Sequence, residues 1–167
     1  MGMRLTLWSR TLGVRLSGEF MRRDDFKDLT VLRRGESMYP DRPEKARLES
    51  FANKYPSRDY VVEFDCPEFT SMCPVTGQPD FARIKITYVP DRKCIESKSL
   101  KMYLFSFRNV GMFHEEIVNK VLEDLVEACK PRWARVRGAM NPRGGISIDV
   151  TAEYCKPDYD LPVGFRS

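Results

Sequence analysis

The sequence has little histidine and no compact cysteine motif. His114 is the only histidine in 167 residues, and the five cysteines stand at irregular spacings. Cys66 and Cys73 are too far apart for a zinc knuckle, whose paired cysteines stand about two to four residues apart. A complete set of zinc ligands would therefore need distant residues, and we expect no metal in this protein.

The sequence also lacks long apolar runs and any clustering of charges of one sign. No apolar stretch approaches the roughly 20 residues of a membrane helix, and the apolar fraction of 42% is that of a globular protein. The net charge of +4 arises from interspersed acids and bases, which gives no basic face for nucleic acid. We expect a protein that needs no membrane and no direct nucleic-acid contact. Its odd, scattered cysteines favour a reducing, cytoplasmic compartment.

The length suits a single domain with an N-terminal extension. Residues 1–18 are rich in arginine, serine and threonine and contain no acid, which superficially resembles an organellar targeting segment. We interpret residues 1–28 as a poorly ordered extension and residues 29–167 as one domain. Prolines and turn formers between residues 29 and 58 predict an arm with short ordered pieces.

Hydrophobic periodicity predicts the elements that follow. Residues 60–65 and 83–88 alternate apolar with polar side chains, which indicates two half-buried strands. Residues 100–107 have helical spacing, and Ser97 is placed to cap this helix. A second helix runs from about Phe113 to Cys129. Two further strands are predicted over residues 133–139 and 146–151, joined by a turn at 141–145.

This order of elements predicts an α+β fold. Strand, strand, helix, helix, strand, strand is typical of an antiparallel sheet with both helices on one face. The other face would be wet, since it would carry Arg83, Lys85, Arg135, Arg137 and Asp149. Such a sheet can stand as a monomer or join copies of itself around a polar lumen.

Cys73 and Asp80 are the candidate catalytic pair. Cys73 lies in a proline-rich turn, and the Thr-Gly-Gln-Pro segment that follows can fold Asp80 back toward the sulfur. A thiol with a nearby proton carrier is the minimum for attack on an electrophilic carbon. A lone cysteine is nevertheless more often a small buried apolar residue. Spacing alone leaves both interpretations open.

Two further groups have a structural and a functional interpretation. Glu115 and Glu116 complement the dipole of the second helix, but Glu115 with His114 can also present acceptors to a purine-like ring. Lys98 and Lys101 form either a phosphate clamp or a solvated helix face. Periodicity alone favours the solvated face.

Several sequence blocks resemble the NADPH-dependent 7-cyano-7-deazaguanine reductases, the nitrile reductases of queuosine biosynthesis. The blocks are Phe-Thr-Ser-Met-Cys-Pro-Val-Thr-Gly-Gln-Pro-Asp-Phe at 69–81, Glu-Ser-Lys-Ser-Leu-Lys-Met-Tyr at 96–103, Phe-Ser-Phe-Arg-Asn at 105–109, Phe-His-Glu at 113–115 and Pro-Arg-Gly-Gly at 142–145. The match covers roughly residues 29–156 in order and spacing, and it is similar to the short, single-module form of the family.

The resemblance implies a fold and a reaction. The family has the tunnelling fold, whose sheets join across subunits into a barrel, so a homo-oligomer with sites at subunit interfaces is expected. By motif position, Cys73 is the nucleophile that forms a covalent thioimide with the nitrile carbon, and Asp80 is the proton donor. Two hydrides from two NADPH molecules then yield the primary amine of 7-aminomethyl-7-deazaguanine.

The same resemblance assigns the binding residues. Glu115 would hold the guanine-like edge of the base, and His114 would cover the nitrile end. The strand-to-helix junction would line the base pocket with Ile95, Glu96 and Ser97. The residues implied for NADPH are Ser97, Lys98, Arg143 and Gly144.

Two other functions remain open at this point. A different tunnelling-fold enzyme, such as a cyclohydrolase acting on a pterin or purine nucleotide, would share the fold and the anchoring glutamate but would need metal ligands that this sequence lacks. An RNA-associated binding module is suggested only by the mildly basic charge. Metal content and salt-sensitive tRNA binding would distinguish these alternatives.

Overall fold

The computed structural model describes Thr30, residues 39–162 and Gly164. The extension predicted over residues 1–28 lies outside this part of the chain. The described elements are a 3-10 turn Pro43–Lys45, β1 Ser50–Ala52, β2 Val62–Met72, β3 Pro79–Val89, β4 Lys93–Ile95, α1 Ser97–Phe105, α2 His114–Cys129, β5 Trp133–Arg143 and β6 Ile146–Cys155. The predicted arm thus contains short ordered pieces, the 3-10 turn and β1.

Four long strands form one antiparallel sheet in the order β2-β3-β5-β6. The short strands β1 and β4 form a separate antiparallel pair. The order of strands and helices and the α+β class predicted from the periodicity are confirmed. The sheet brings the β2–β3 turn and the β5–β6 turn to the same end, which we call the hairpin end.

Both helices contribute to a core on one face of the sheet. Ile84, Ile86 and Val136 are fully buried and belong to the same apolar cluster as α1 and α2. The buried residues of α2 are those expected from its periodicity: Ile117, Val118, Val121, Leu122, Leu125 and Cys129. Within residues 39–162, no helix is long and apolar enough to cross a membrane.

Gly138 shows how closely α2 approaches β5. A Cβ atom at this position would lie 2.7 Å from Cγ2 of Val118, well inside van der Waals contact. The helix can therefore approach the strand here only because Gly138 has no side chain.

The other face of the sheet carries ion pairs, as the sequence predicts. Lys85 Nζ lies 3.0 Å from Glu63 Oε2, and Arg137 Nη2 lies 2.7 Å from Asp149 Oδ2. Arg83 is paired with Asp65 on the same face. Exposed pairs of this kind contribute little stability, about 0–1 kcal/mol each. Their effect is to keep this face hydrated.

Two strands run further than their periodicity predicts. β2 continues to Met72 through a register shift between Cys66 and Phe69, and β5 continues to Arg143 through a shift after Met140. Each shift contains a proline, which has no N–H for the ladder and is tolerated at a bulge. The second turn is consequently confined to Gly144 and Gly145, whose φ angles are 59° and 81°.

The prediction that Ser97 caps α1 is wrong. Glu96 is the N-cap, and its carboxylate accepts hydrogen bonds from the backbone N–H groups of Lys98 at 2.8 Å and Ser99 at 2.7 Å. The two oxygens of a carboxylate can satisfy two orphan donors at once, which a single hydroxyl does less well. Ser97 is instead the first helical residue and is exposed.

Candidate active site

The β2–β3 hairpin brings Cys73 and Asp80 to the hairpin end of the sheet. The backbone N–H of Cys73 donates to Gln78 O at 2.8 Å, and Gly77 N–H donates to Cys73 O at 3.0 Å. Gly77 has φ of 68°, a conformation that glycine adopts without strain. The register then places Asp80 directly opposite Ser71. The turn therefore folds Asp80 back, as its sequence predicts.

Arg143 holds the Asp80 carboxylate from the next strand. Its Nε lies 2.9 Å from Oδ1, and its Nη2 donates to Oδ2 at 3.3 Å. Asp80 is only 5% exposed, whereas the Arg143 side chain is 40% exposed. The two-point contact of a planar guanidinium fixes the orientation of the carboxylate.

His114 reaches the same carboxylate from the start of α2. Its Nε2 lies 3.3 Å from Asp80 Oδ2, and its side chain is 11% exposed. The two atoms are within ion-pair distance but do not have hydrogen-bond geometry, so Nε2 has no hydrogen-bond partner among the described residues. Glu115, the next residue, is exposed on the first turn of the helix. The structure thus brings Cys73, Asp80, His114 and Arg143 to one end of the sheet.

The thiol of Cys73 is acidified by its surroundings. Hydrogen bonds from the side chain and backbone of Thr76 contribute most, followed by the backbone of Val75 and the Arg143 guanidinium, and together they lower the pKa of Cys73 to about 6. The backbone N–H of Thr76 lies 3.5 Å from the sulfur. Burial instead raises the pKa of the Cys66 thiol. Near pH 7, Cys73 is therefore largely a thiolate, the nucleophilic form.

Ile95, Glu96 and Ser97 lie at the other end of the sheet. The backbone N–H of Ile95 donates to the Tyr88 hydroxyl at 3.0 Å, and Tyr88 stands eight residues beyond Asp80 on β3, about 26 Å along the strand. The three residues line a cavity of about 480 Å³. Within one chain, this pocket and the Cys73 cluster are therefore separate.

The residues proposed for NADPH are divided in the same way. Lys98 lies at the start of α1, near the 480 Å³ cavity, whereas Arg143 and Gly144 lie at the hairpin end. The N–H groups of Lys98 and Ser99 are already bonded to Glu96. A phosphate bound at this helix start would therefore contact side chains rather than these two backbone amides. Lys98 and Arg143 both suit an anionic cofactor, but within one chain they lie at opposite ends of the sheet.

Two residues that bear on the site were not singled out from the sequence. Thr76 is the main cause of the low pKa of Cys73, and its place three residues after a cysteine, within a turn, was a usable signal. Ser71 lies opposite Asp80. Periodicity did not indicate that Ser71 lies in the strand, because the alternating pattern of β2 ends at Asp65, before the bulge.

The ββααββ order, with an antiparallel sheet that has a thiol, a carboxylate and a histidine at one end, is that of the tunnelling fold. The family model described as QueF-like protein matches residues 79–159. A solved structure of the archaeosine synthase QueF-Like in the apo form has a TM-score of 0.53 and 24% identity, and covers 56% of this chain and 91% of that chain. This similarity shows the fold.

Curated relatives identify the family. A 7-cyano-7-deazaguanine reductase of Bacillus cytotoxicus, described as NADPH-dependent, is 53% identical over 134 residues, covering 80% of this chain and 81% of its own. Reductases of the same description from Streptococcus mutans (50% identical, 87% and 91% covered) and Staphylococcus epidermidis (52%, 81% and 82%) are similarly close. The chain belongs to the family of NADPH-dependent 7-cyano-7-deazaguanine reductases.

Proposed function

We propose that this chain reduces the nitrile of 7-cyano-7-deazaguanine to the primary amine of 7-aminomethyl-7-deazaguanine with NADPH, as a step of queuosine biosynthesis. Membership of the reductase family supports the reaction. The observation in the structure that carries it is Cys73, a thiol with its pKa lowered to about 6 on the turn that leads to the buried Asp80. A ready thiolate near a proton carrier is what addition to a nitrile requires.

Cys73 is the nucleophile in this proposal. Its sulfur attacks the nitrile carbon, a carbon–sulfur bond forms, and one π bond of the nitrile breaks with its electron pair moving to nitrogen. Asp80 passes that nitrogen a proton, which the carboxylate has taken up from the Cys73 thiol or through His114, and this produces a neutral thioimide. The covalent step divides one difficult reduction into easier ones, because the thioimide accepts a hydride more readily than a nitrile.

Asp80 and His114 are the two side chains of the site that are largely shielded from water, and they transfer its protons in this proposal. Asp80 is 5% exposed and His114 Nε2 lies 3.3 Å from its Oδ2. Each reduction step needs a proton on the reacting nitrogen, so Asp80 must be reprotonated between steps. His114 is the neighbouring group placed to return the proton, in addition to covering the nitrile end of the substrate.

NADPH, when bound, supplies one hydride, and two NADPH molecules in turn supply the two that the reduction needs. Ser97 with Lys98 at the start of α1, and Arg143 with Gly144 at the β5–β6 turn, are the proposed contacts. The lysine and arginine would pair with phosphate oxygens. Gly144, with φ of 59° and open space around its Cα, allows a close backbone approach.

The base would be held by residues from both ends of the sheet. Glu115 accepts hydrogen bonds from the guanine-like edge, and Ile95, Glu96 and Ser97 line the base pocket. Since about 26 Å of β3 separates this pocket from Asp80 in one chain, we propose that a neighbouring subunit completes each site. The hydrated sheet face and the edge strands β2 and β6 suit a barrel formed by several copies.

Intact-mass measurement tests the nucleophile and the substrate together. The protein is mixed with 7-cyano-7-deazaguanine without NADPH, and its mass should increase by that of the nitrile. Cys73→Ala should show no gain, whereas Cys155→Ala, which removes an exposed cysteine, should retain it. A wild-type protein that binds the nitrile saturably without any mass gain would refute the thioimide.

Mixed oligomers test the shared site. Cys73→Ala and Glu96→Gln each alter a different half of the site, so each variant alone should be inactive or strongly impaired. Co-refolded mixtures should regain activity, because some interfaces pair an intact Cys73 cluster with an intact base pocket. Mixtures that stay at the sum of the two separate activities would contradict a site built from two subunits.

A further inference from the structure

Buried polar atoms without partners concentrate around Asp80. In the part of the chain that the structure describes, three buried side-chain atoms lack a hydrogen bond: Ser71 Oγ, His114 Nε2 and the Tyr159 hydroxyl. Ser71 and His114 both adjoin Asp80, one across the β2–β3 ladder and one at 3.3 Å. Unpaired buried polar groups are uncommon because they lose hydration without compensation, and those that persist often serve a ligand or a reaction.

Ser71 faces the reacting groups. It is 1% exposed and lies directly opposite Asp80, and facing side chains of an antiparallel pair have Cβ atoms about 4.5–5.5 Å apart. Cys73 follows two residues later, and its backbone N–H still bonds across the hairpin to Gln78 O at 2.8 Å. Alternate residues of an extended chain point to the same side. Ser71, Cys73 and Asp80 therefore surround one small region.

The distance between Ser71 and Cys73 along the chain matches the length of a nitrile group placed between their side chains. Residues two apart on a strand are separated by about 6.6 Å. The path from the Cys73 sulfur to a hydroxyl oxygen runs through the nitrile carbon, the nitrile nitrogen and a hydrogen bond of about 2.9 Å. This path spans a similar distance. The nitrogen would then lie between the Ser71 hydroxyl and the Asp80 carboxyl.

We propose that the Ser71 hydroxyl binds the nitrogen of the reacting nitrile and holds it beside Asp80. This inference rests on the proposed function. When the Cys73 sulfur adds to carbon, the nitrogen acquires a second electron pair. Asp80 protonates one pair, and Ser71 donates a hydrogen bond to the other without giving up its proton. The hydroxyl thus stabilises charge where it develops, which is the role of an oxyanion-hole donor in acyl transfer.

Ser71→Ala separates this role from a structural one. Because the hydroxyl has no partner within the described residues, its removal should leave the melting temperature of the unliganded protein unchanged or higher. The rate of thioimide formation, followed by intact mass without NADPH, should fall about 100-fold or more. Thr70→Ala is the matched control, since it removes a hydroxyl from the adjacent position of β2 and should retain the rate. Ser71→Thr, which keeps the hydroxyl, should restore much of the lost rate.

Each outcome bears on the inference. Adduct formation by Ser71→Ala at the wild-type rate would overturn it, and so would a variant that fails to fold or melts at a lower temperature, because the hydroxyl would then be structural. If the wild-type protein itself forms no adduct, the proposed function fails first. An adduct in the wild type together with a stable but slow Ser71→Ala variant supports the inference.

Discussion

Arg143 and Asp80 form a two-point contact across 63 residues of sequence, with Arg143 Nε 2.9 Å from Asp80 Oδ1 and Nη2 3.3 Å from Oδ2. The same guanidinium is one of the groups that acidify Cys73. A single arginine at the end of β5 therefore influences both proposed catalytic side chains.

The reactivity of Cys73 should depend on pH with a midpoint near 6. Since the thiolate is the reactive form, alkylation of Cys73 by iodoacetamide should be slow below pH 6 and reach a plateau above it. Arg143→Gln removes a group that stabilises the thiolate, so the midpoint should move to higher pH. Peptide-resolved mass spectrometry separates Cys73 from the other four cysteines. Arg137→Gln, on the hydrated face, should leave the midpoint unchanged, and an equal shift in both variants would contradict the local effect.

Asp80→Asn should slow the chemistry more than binding. An amide cannot donate the proton that a carboxylic acid can, and such donors contribute about 100- to 10,000-fold to rate. Thioimide formation and single-turnover NADPH oxidation should therefore fall within that range. Binding of the nitrile, measured in a Cys73→Ala background, should change far less. Asp65→Asn, an exposed carboxylate on the other sheet face, is the control; equal losses in the two variants would argue against a proton donor.

Glu115→Ala should weaken binding of the base. A hydrogen bond to a charged group contributes about 1.5–3 kcal/mol, or roughly 10- to 150-fold in dissociation constant. Glu116→Ala is a matched control, because both glutamates are exposed in the first turn of α2 and complement its dipole equally. Titration calorimetry with 7-cyano-7-deazaguanine in the Cys73→Ala background would measure both. Indistinguishable dissociation constants would remove Glu115 from the pocket.

Gly138→Ala should destabilise the fold by about 1–3 kcal/mol, the usual cost of overpacking a core. The new Cβ would lie 2.7 Å from Val118 Cγ2 and 3.0 Å from Met140 Cε. Urea unfolding gives the free energy of each variant. Shortening the neighbour in Gly138→Ala/Val118→Ala should make the double variant less unstable than the sum of the two single changes. Strict additivity would mean that the clash is relieved elsewhere.

Much of the scaffold followed from local patterns. The alternation in β3 and the helical spacing of α2 identified their buried faces correctly, because a period of two or 3.6 directly selects which side chains meet the core. In β6 the alternation misled in part, because Ile146 and Ile148 are exposed and only the second half of the strand, from Val150, packs against the core. The residues of the candidate site came from motif resemblance, and Cys73 and Asp80 were also indicated by the turn between them. Their catalytic roles remain predictions.

The bulges in β2 and β5 could not be predicted from periodicity. A proline ends a regular ladder, and whether the strand resumes beyond it depends on the neighbouring strand that receives the shifted register. β3 accepts the shift in β2, and β6 accepts the shift in β5. Because β2 resumes, Ser71 comes to lie opposite Asp80, and because β5 resumes, Arg143 reaches the same carboxylate.

Local sequence patterns therefore set the order of the elements, the buried faces of β3 and α2, and the turn that carries Cys73 and Asp80. These features depend on residues close together in the chain. Long-range strand pairing brings Arg143 to Asp80, and it places Ile95, Glu96 and Ser97 about 26 Å along β3 from the Cys73 cluster. These relationships depend on strand pairing, on side-chain geometry and on the length of a strand.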